Sequence, residues 1–226
     1  MTAVSGEPSV PELLGTRIRS ERARAGLSIR ELARRLDVSH SLISQIETGH
    51  VTPSVATLWG IATELGLPVG DLFVSDDGAA VAAADPRKPS PVQEHETRRG
   101  VTLAGGVRWE RLTPDPNADV DFVHVVYPPG SASCEEDALI RHGGREFGYV
   151  VSGRLGVRVG FDEFEVGPDD SICFDSQMPH RLWAIGDEPV RAIWMVLNRR
   201  DDARAPLDGA DGALPSDAIG GKMIRE

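Results

Sequence analysis

Apolar residues recur at helical spacing through the first third of the chain and at alternate positions through much of the rest. Leu14, Ile18 and Ala25 share one face of a first helix, which Gly26 ends. Ser28 is placed to cap a second, with Glu31 three residues on completing a capping box and Leu32, Ala33 and Leu36 as its apolar face. Asp37 and Val38 form a short turn. Ser39 then caps a third helix carrying Leu42, Ile43 and Ile46, closed by Gly49. Pro53 and Ser54 open a fourth, whose buried side is Val55, Leu58, Ile61, Ala62 and Leu65, and a short fifth follows Pro68 and ends near Phe73. Beyond that the period changes from helical to alternating. Residues 122–126, 147–151, 155–159 and 190–197 read as strands, with turns at 128–130, 152–153 and 166–170. Leu155, Val157 and Val159 alternate with Gly156 and Arg158, as a strand with one buried face should. The predicted fold class is therefore α + β in two domains. An all-α N-terminal domain of five helices precedes an all-β C-terminal barrel or jelly roll.

Between the two patterns, residues 75–93 are small, polar and proline-bearing. The expected organisation is a helical domain over 1–74, a linker over 75–100, a β domain over 101–198 and a disordered tail over 199–226. Such a linker predicts that the functional faces of the two domains do not touch. No apolar run reaches the roughly 18 residues of a membrane span. The N-terminus lacks the charged start and apolar core of a signal peptide. Only Cys134 and Cys173 occur, without metal-type spacing, and Cys173 in its apolar context reads as a small buried hydrophobe. A cytoplasmic protein with no membrane partner is expected.

The net charge of −11 argues at first against a nucleic-acid partner. Its distribution removes the objection. Residues 1–74 hold seven Arg against eight Asp and Glu, so nearly all of the acidity belongs to the second half.

Two short helices joined by a tight turn make a helix-turn-helix, and the small Ala33 permits the close crossing. The stretch LSIRELARRLDVSHSLISQIETGHVTPSVATLWGIATELGLPVGDLF resembles the Cro/C1-type domain of the xenobiotic-response-element regulators. Asp37 departs from the glycine often found at that turn, but Asp tolerates a left-handed backbone. The resemblance implies that His40, Ser41, Ser44 and Gln45 face the major groove of double-stranded operator DNA, with Ser39 beside them in the DNA-binding set. Arg30 and Arg34 would meet phosphates, while Arg35 pairs with Glu31.

The segments YPPG, HGGREFGYVVSG and PHRLW resemble the cupin family, a double-stranded β-helix whose barrel encloses a pocket. Against the family's metal motif, His142, Glu146 and His180 match ligand positions, whereas Ile140 stands where a further histidine is usual. Ile140, His142, Glu146 and His180 are the expected pocket residues. Two histidines and a carboxylate are the ligand set of non-haem Fe(II) oxygenases. The trio either holds a divalent metal (Fe, Zn, Ni or Mn) or lines a polar pocket for an organic ligand. His124 either replaces the missing ligand or is an ordinary strand residue. Arg141, Arg145, Arg154, Arg158 and Arg181 belong to solvated faces, unless one or two reach the pocket to bind a carboxylate. Trp183 and Trp194 read as core.

The expected function is a homodimeric transcriptional regulator whose cupin half senses a small-molecule effector. No nucleophile with its base, phosphate loop or paired carboxylates is present, so no catalytic residue is assigned. The alternative is a metal-dependent cupin enzyme that keeps a helix-turn-helix, a pairing that resembles a non-haem iron epoxidase.

Overall fold

The computed structural model describes residues 9–73, 91–114 and 120–197. Most of the expected linker, over 75–90, and the expected tail over 199–226 lie outside the described residues.

Four α-helices come first: α1 (Val10–Arg24), α2 (Ile29–Arg35), α3 (His40–Glu47) and α4 (Val55–Glu64). The expected fifth is a single 3-10 turn, Val69–Leu72, because four residues after Pro68 are too few for an α-helix to propagate. Ser28, Ser39 and Ser54 each accept a backbone N–H from three residues on. The capping box at Ser28 is only half formed. Glu31 turns instead to the guanidiniums of Arg34 and Arg35, which outweigh one backbone N–H and hold its carboxyl at about 2. Asp37 adopts a φ of 53°, the left-handed turn that brings α2 and α3 together. Ile18, Leu32, Ile43, Leu58 and Ile61 are fully buried at the centre. Gly15 lets α1 approach α3, since a Cβ there would come within 2.4 Å of the Ile46 carbonyl oxygen.

Nine antiparallel strands follow among the described residues: β1 (Gly100–Thr102), β2 (Arg108–Arg111), β3 (Val120–Tyr127), β4 (Arg145–Ser152), β5 (Arg154–Val159), β6 (Asp162–Val166), β7 (Ser171–Asp175), β8 (His180–Ile185) and β9 (Val190–Leu197). They form a six-stranded sheet ordered β1-β2-β3-β9-β4-β7 and a three-stranded sheet ordered β6-β5-β8. The inward faces carry Val123, Val125, Tyr127, Trp194 and Val196 from the first sheet and Leu155, Val157 and Leu182 from the second.

The two domains dock on each other directly. Ala56 N–H donates to the Ser133 carbonyl at 3.2 Å, and Ala104 N–H to the Pro53 carbonyl at 2.9 Å. Gly70 N–H donates to the buried Asp121 carboxylate at 3.2 Å. Between these points Trp59 and Phe73 pack edge-on against Trp109, with ring centroids 5.7 and 6.5 Å apart. The apolar core is continuous through both halves.

Candidate functional site

His142, Glu146 and His180 come from three places in the barrel: the segment before β4, the second residue of β4 and the first of β8. All three are buried, and one ligand atom from each lies within 4.8 Å of the others. His142 Nδ1 is 3.0 Å from the Gly143 carbonyl and His180 Nδ1 is 2.8 Å from that of Met178. A carbonyl only accepts, so both Nδ1 atoms carry the proton and both Nε2 lone pairs face inward. These Nε2 atoms stand 3.0 and 3.1 Å from the same carboxylate oxygen, Glu146 Oε1. The contacts are close but not aligned, and His142 Nε2 and Glu146 Oε1 have no hydrogen-bond partner. Three buried acceptors aimed at one another need a cation between them, either protons or a metal. Burial pushes the Glu146 carboxyl up, but the two imidazoles, once protonated and able to donate to it, more than offset this and hold it below the ordinary range. Burial likewise lowers His180, and the Glu146 carboxylate overrides this and raises it.

The second carboxylate oxygen is fixed by a residue whose role the sequence left unseen. Trp194 on β9 donates its indole N–H to Glu146 Oε2 at 2.7 Å. Register explains how it gets there. Gly148 pairs with Trp194 across β4 and β9, and a Cβ on Gly148 would lie 2.1 Å from the indole ring. The missing side chain lets the ring lie across the strand toward Glu146, two residues away on the same face. Gly148→Ala is therefore expected to cost about 1–3 kcal/mol of stability by overpacking. It is also expected to weaken the binding of any metal added to the trio about 10–100-fold, because Glu146 loses its anchor. Urea melts and competitive metal titration read the two effects, and unchanged affinity in a folded variant would refute the anchoring role.

The roof of the chamber belongs to the other domain. Trp59 on α4 is 4% exposed and places its ring 4.5 Å from that of His142. The space it closes is about 20 Å³, lined by Val125, Tyr127, Ile140, Glu146, His180 and Trp194 among others. That is room for one water or one ion. Ile140 bridges to His180 through paired backbone hydrogen bonds of 2.9 Å, so the usual place of a further ligand is apolar.

His124 is no substitute ligand. Alternation on β3 turns Val123 and Val125 inward and His124 outward, where it meets Glu110 at 3.2 Å. Cys173 is exposed, not buried, because alternation on β7 turns Ile172 and Phe174 inward and Cys173 outward; its sulfur accepts from Arg145. Arg154 and Arg158 are paired with Glu165 and Glu163 on the outer sheet. Arg141 and Arg181 are not paired with a carboxylate among the described residues, and both line a cleft of about 660 Å³ outside the Trp59 roof.

On the helical domain, Ser39, His40, Ser41 and Gln45 are exposed and Ser44 is half-buried along α3. The Ser39 hydroxyl oxygen is engaged as the cap, accepting from Leu42 N–H at 3.1 Å. Arg30 and Arg34 are exposed on α2, Arg34 held by Glu31 at 2.8 Å.

Comparison with known proteins divides the chain in the same way. A helix-turn-helix family model matches residues 18–72 and a cupin domain model matches residues 123–196. The HTH-type transcriptional regulator PuuR of Escherichia coli is 26% identical over 169 residues, covering 74% of this chain and 84% of its own. An uncharacterized HTH-type transcriptional regulator of Archaeoglobus fulgidus is 37% identical over 62 residues, 27% of this chain and 89% of that protein. In fold, the chain is similar to the crystal structure of a helix-turn-helix family transcriptional regulator from Vibrio cholerae. The TM-score is 0.61 at 22% identity, covering 84% of this chain and 98% of that one.

Proposed function

Because this chain belongs to the HTH-type transcriptional regulators and joins that DNA-binding domain to a cupin, we propose that the cupin half senses a small molecule and reports it to α3 through α4. The contact that carries this reading is Trp59 lying 4.5 Å from His142, one domain closing the other's chamber. From Trp59 the path to DNA is short. Gly60, the next residue, lets Leu36 at the end of α2 pack on α4, since a Cβ there would meet the leucine at 2.8 Å. The α2 helix in turn packs on α3.

In this proposal the regulator acts in the cytoplasm as a homodimer. Two copies of α3 read a near-palindromic operator with half-sites about one helical turn, ~34 Å, apart. Ser41, Ser44 and Gln45 make base contacts, Ser39 and His40 border them, and Arg30 and Arg34 meet phosphates.

His142, Glu146 and His180 would hold a divalent metal (Fe, Zn, Ni or Mn), whose positive charge would answer the orphaned Glu146 Oε1 and His142 Nε2. Protein purified without added metal is expected to carry one divalent ion per chain, removable by chelator. Coordination needs neutral imidazole, and His180 is raised, so proton competition begins above the ordinary histidine value of about 6.5. Metal retention should accordingly fall as pH drops through that range, and Ile140→His should tighten binding. Elemental analysis across pH checks both, and metal-free protein with full effector response would leave only the polar-pocket reading. The same trio would suit an iron oxygenase, but a chamber of about 20 Å³ has no room for a substrate beside a metal.

The regulatory reading is tested by capturing the chain's bound DNA from cells, which gives the operator and, from neighbouring genes, effector candidates. The correct effector is expected to shift operator affinity by about 5–150-fold in the wild type and not in His180→Ala. A shift that survives in the variant would remove the histidine–glutamate chamber from the sensing path and leave the rest of the cupin to carry it.

A further inference from the structure

We infer that the organic effector binds in the cleft between the two domains, outside the metal-ligand chamber, and that it is a small organic anion held by Arg141 and Arg181. This rests on the regulator reading and narrows where, and on what chemistry, it operates.

Volume decides the first part. The chamber beneath Trp59 offers about 20 Å³, enough for an ion or a water. Sites for organic ligands run to about 300–1,000 Å³. The cleft, at about 660 Å³, falls in that range, and it shares Trp59 and Ile140 with the chamber as a common partition.

Charge decides the second. In a chain of net −11, arginines usually find a carboxylate, as Arg154 and Arg158 do. Arg141 and Arg181 instead give their Nε–H to backbone carbonyls, of Gln177 and Cys134, both at 3.1 Å. Arg181 also lies 5.1 Å over the Trp183 ring. These contacts orient both guanidiniums and leave their terminal nitrogens without a carboxylate among the described residues. Glu135 shares the rim but is exposed, so the cleft presents two cations against one anion. Bidentate capture of a carboxylate, sulfonate or phosphate is the chemistry such forks perform. The remaining wall is apolar, with Leu139 and Ile140 from the cupin and Leu36 and Val38 from the helical domain. Leu36 and Val38 flank the turn before α3, so an anion anchored on the cupin arginines would press against the element that aims the DNA-facing helix.

The test uses the full-length chain with 8-anilinonaphthalene-1-sulfonate, too large for the chamber, and its neutral counterpart N-phenyl-1-naphthylamine. Fluorescence titration is expected to give one saturable sulfonate site per chain, with the neutral probe at least ten-fold weaker. Arg141→Gln with Arg181→Gln should weaken the sulfonate at least ten-fold and leave the neutral probe unchanged. Ala138→Trp, filling the cleft from an exposed loop position, should abolish binding of both. Circular dichroism confirms that each variant folds, and if the double variant does not, the exposed Arg141→Gln alone carries that comparison. Sulfonate binding that is unsaturable or survives Ala138→Trp would overturn the site. Equal affinity for both probes, or an unchanged double variant, would overturn the anion. Operator binding without probe is measured separately: its absence would sink the regulator reading and leave the cleft result standing.

Discussion

Changing Ser41, Ser44 and Gln45 together to alanine is expected to abolish operator discrimination while leaving the fold intact. Ser41 and Gln45 are exposed and Ser44 is only half-buried along α3, and none of the three belongs to the apolar core, so their removal opens no large cavity. A base contact is worth about 1–3 kcal/mol, and losing two or three lowers specific affinity by about 100-fold or more. Residual binding to scrambled DNA should remain, because phosphate contacts supply it. Arg30→Ala should behave differently, weakening operator and scrambled DNA by the same factor and reducing the salt slope by about one. Arg34 must first leave Glu31, so its contribution is smaller than that of Arg30, which has no carboxylate partner among the described residues. Anisotropy titrations at two salt concentrations separate these outcomes. Operator affinity unchanged in the triple variant would show that α3 is not the reading face.

Trp59→Ala is expected to be strongly destabilising, at about 3–5 kcal/mol, the range for deleting a buried tryptophan from a core. The ring is 4% exposed and touches both His142 and Trp109, and its loss would merge the chamber with the cleft. Trp59→Phe should retain most of the packing and cost less. Urea unfolding measures both. A loss below about 1 kcal/mol for the alanine variant would mean that the domains do not depend on this contact.

Much of the architecture was legible because its signals are local. Serine caps, the Asp37 turn and the alternation on β5 are written within a few residues of where they act. Five strands, β1, β2, β6, β7 and β8, are not among those the sequence pattern predicts, and for three of them the reason is plain. Along β6 four of five residues are exposed, and β1 and β2 are three and four residues long. The histidines and glutamate of the chamber were found by their motif, but the residues that complete it were not. Trp194 reaches Glu146 through a cross-strand register with Gly148, which no short window contains. Trp59 left a fainter trace. Its helix, VATLWGIATE, is apolar nearly all round, and such a helix needs a second surface to cover it. The linker-like composition of 75–93 pointed the other way, toward separate halves. A permissive tether says nothing about whether the surfaces it joins are sticky.

A regulator built as beads on a string could trade its sensor for another and keep its operator. This chain is not free to do so. Stripped of the cupin, the helical half would bare Val55, Trp59 and Phe73 to water; stripped of α4, the barrel would open His142 to solvent. A graft that preserved every strand of the sensor and every residue of α3 would still fail without a matching aromatic ring at position 59. Innovation in what this protein perceives has therefore to be accompanied by change on a helix that carries neither the buried histidines nor the DNA-facing residues, and inheritance of the two halves as a single unit follows from their shared interior.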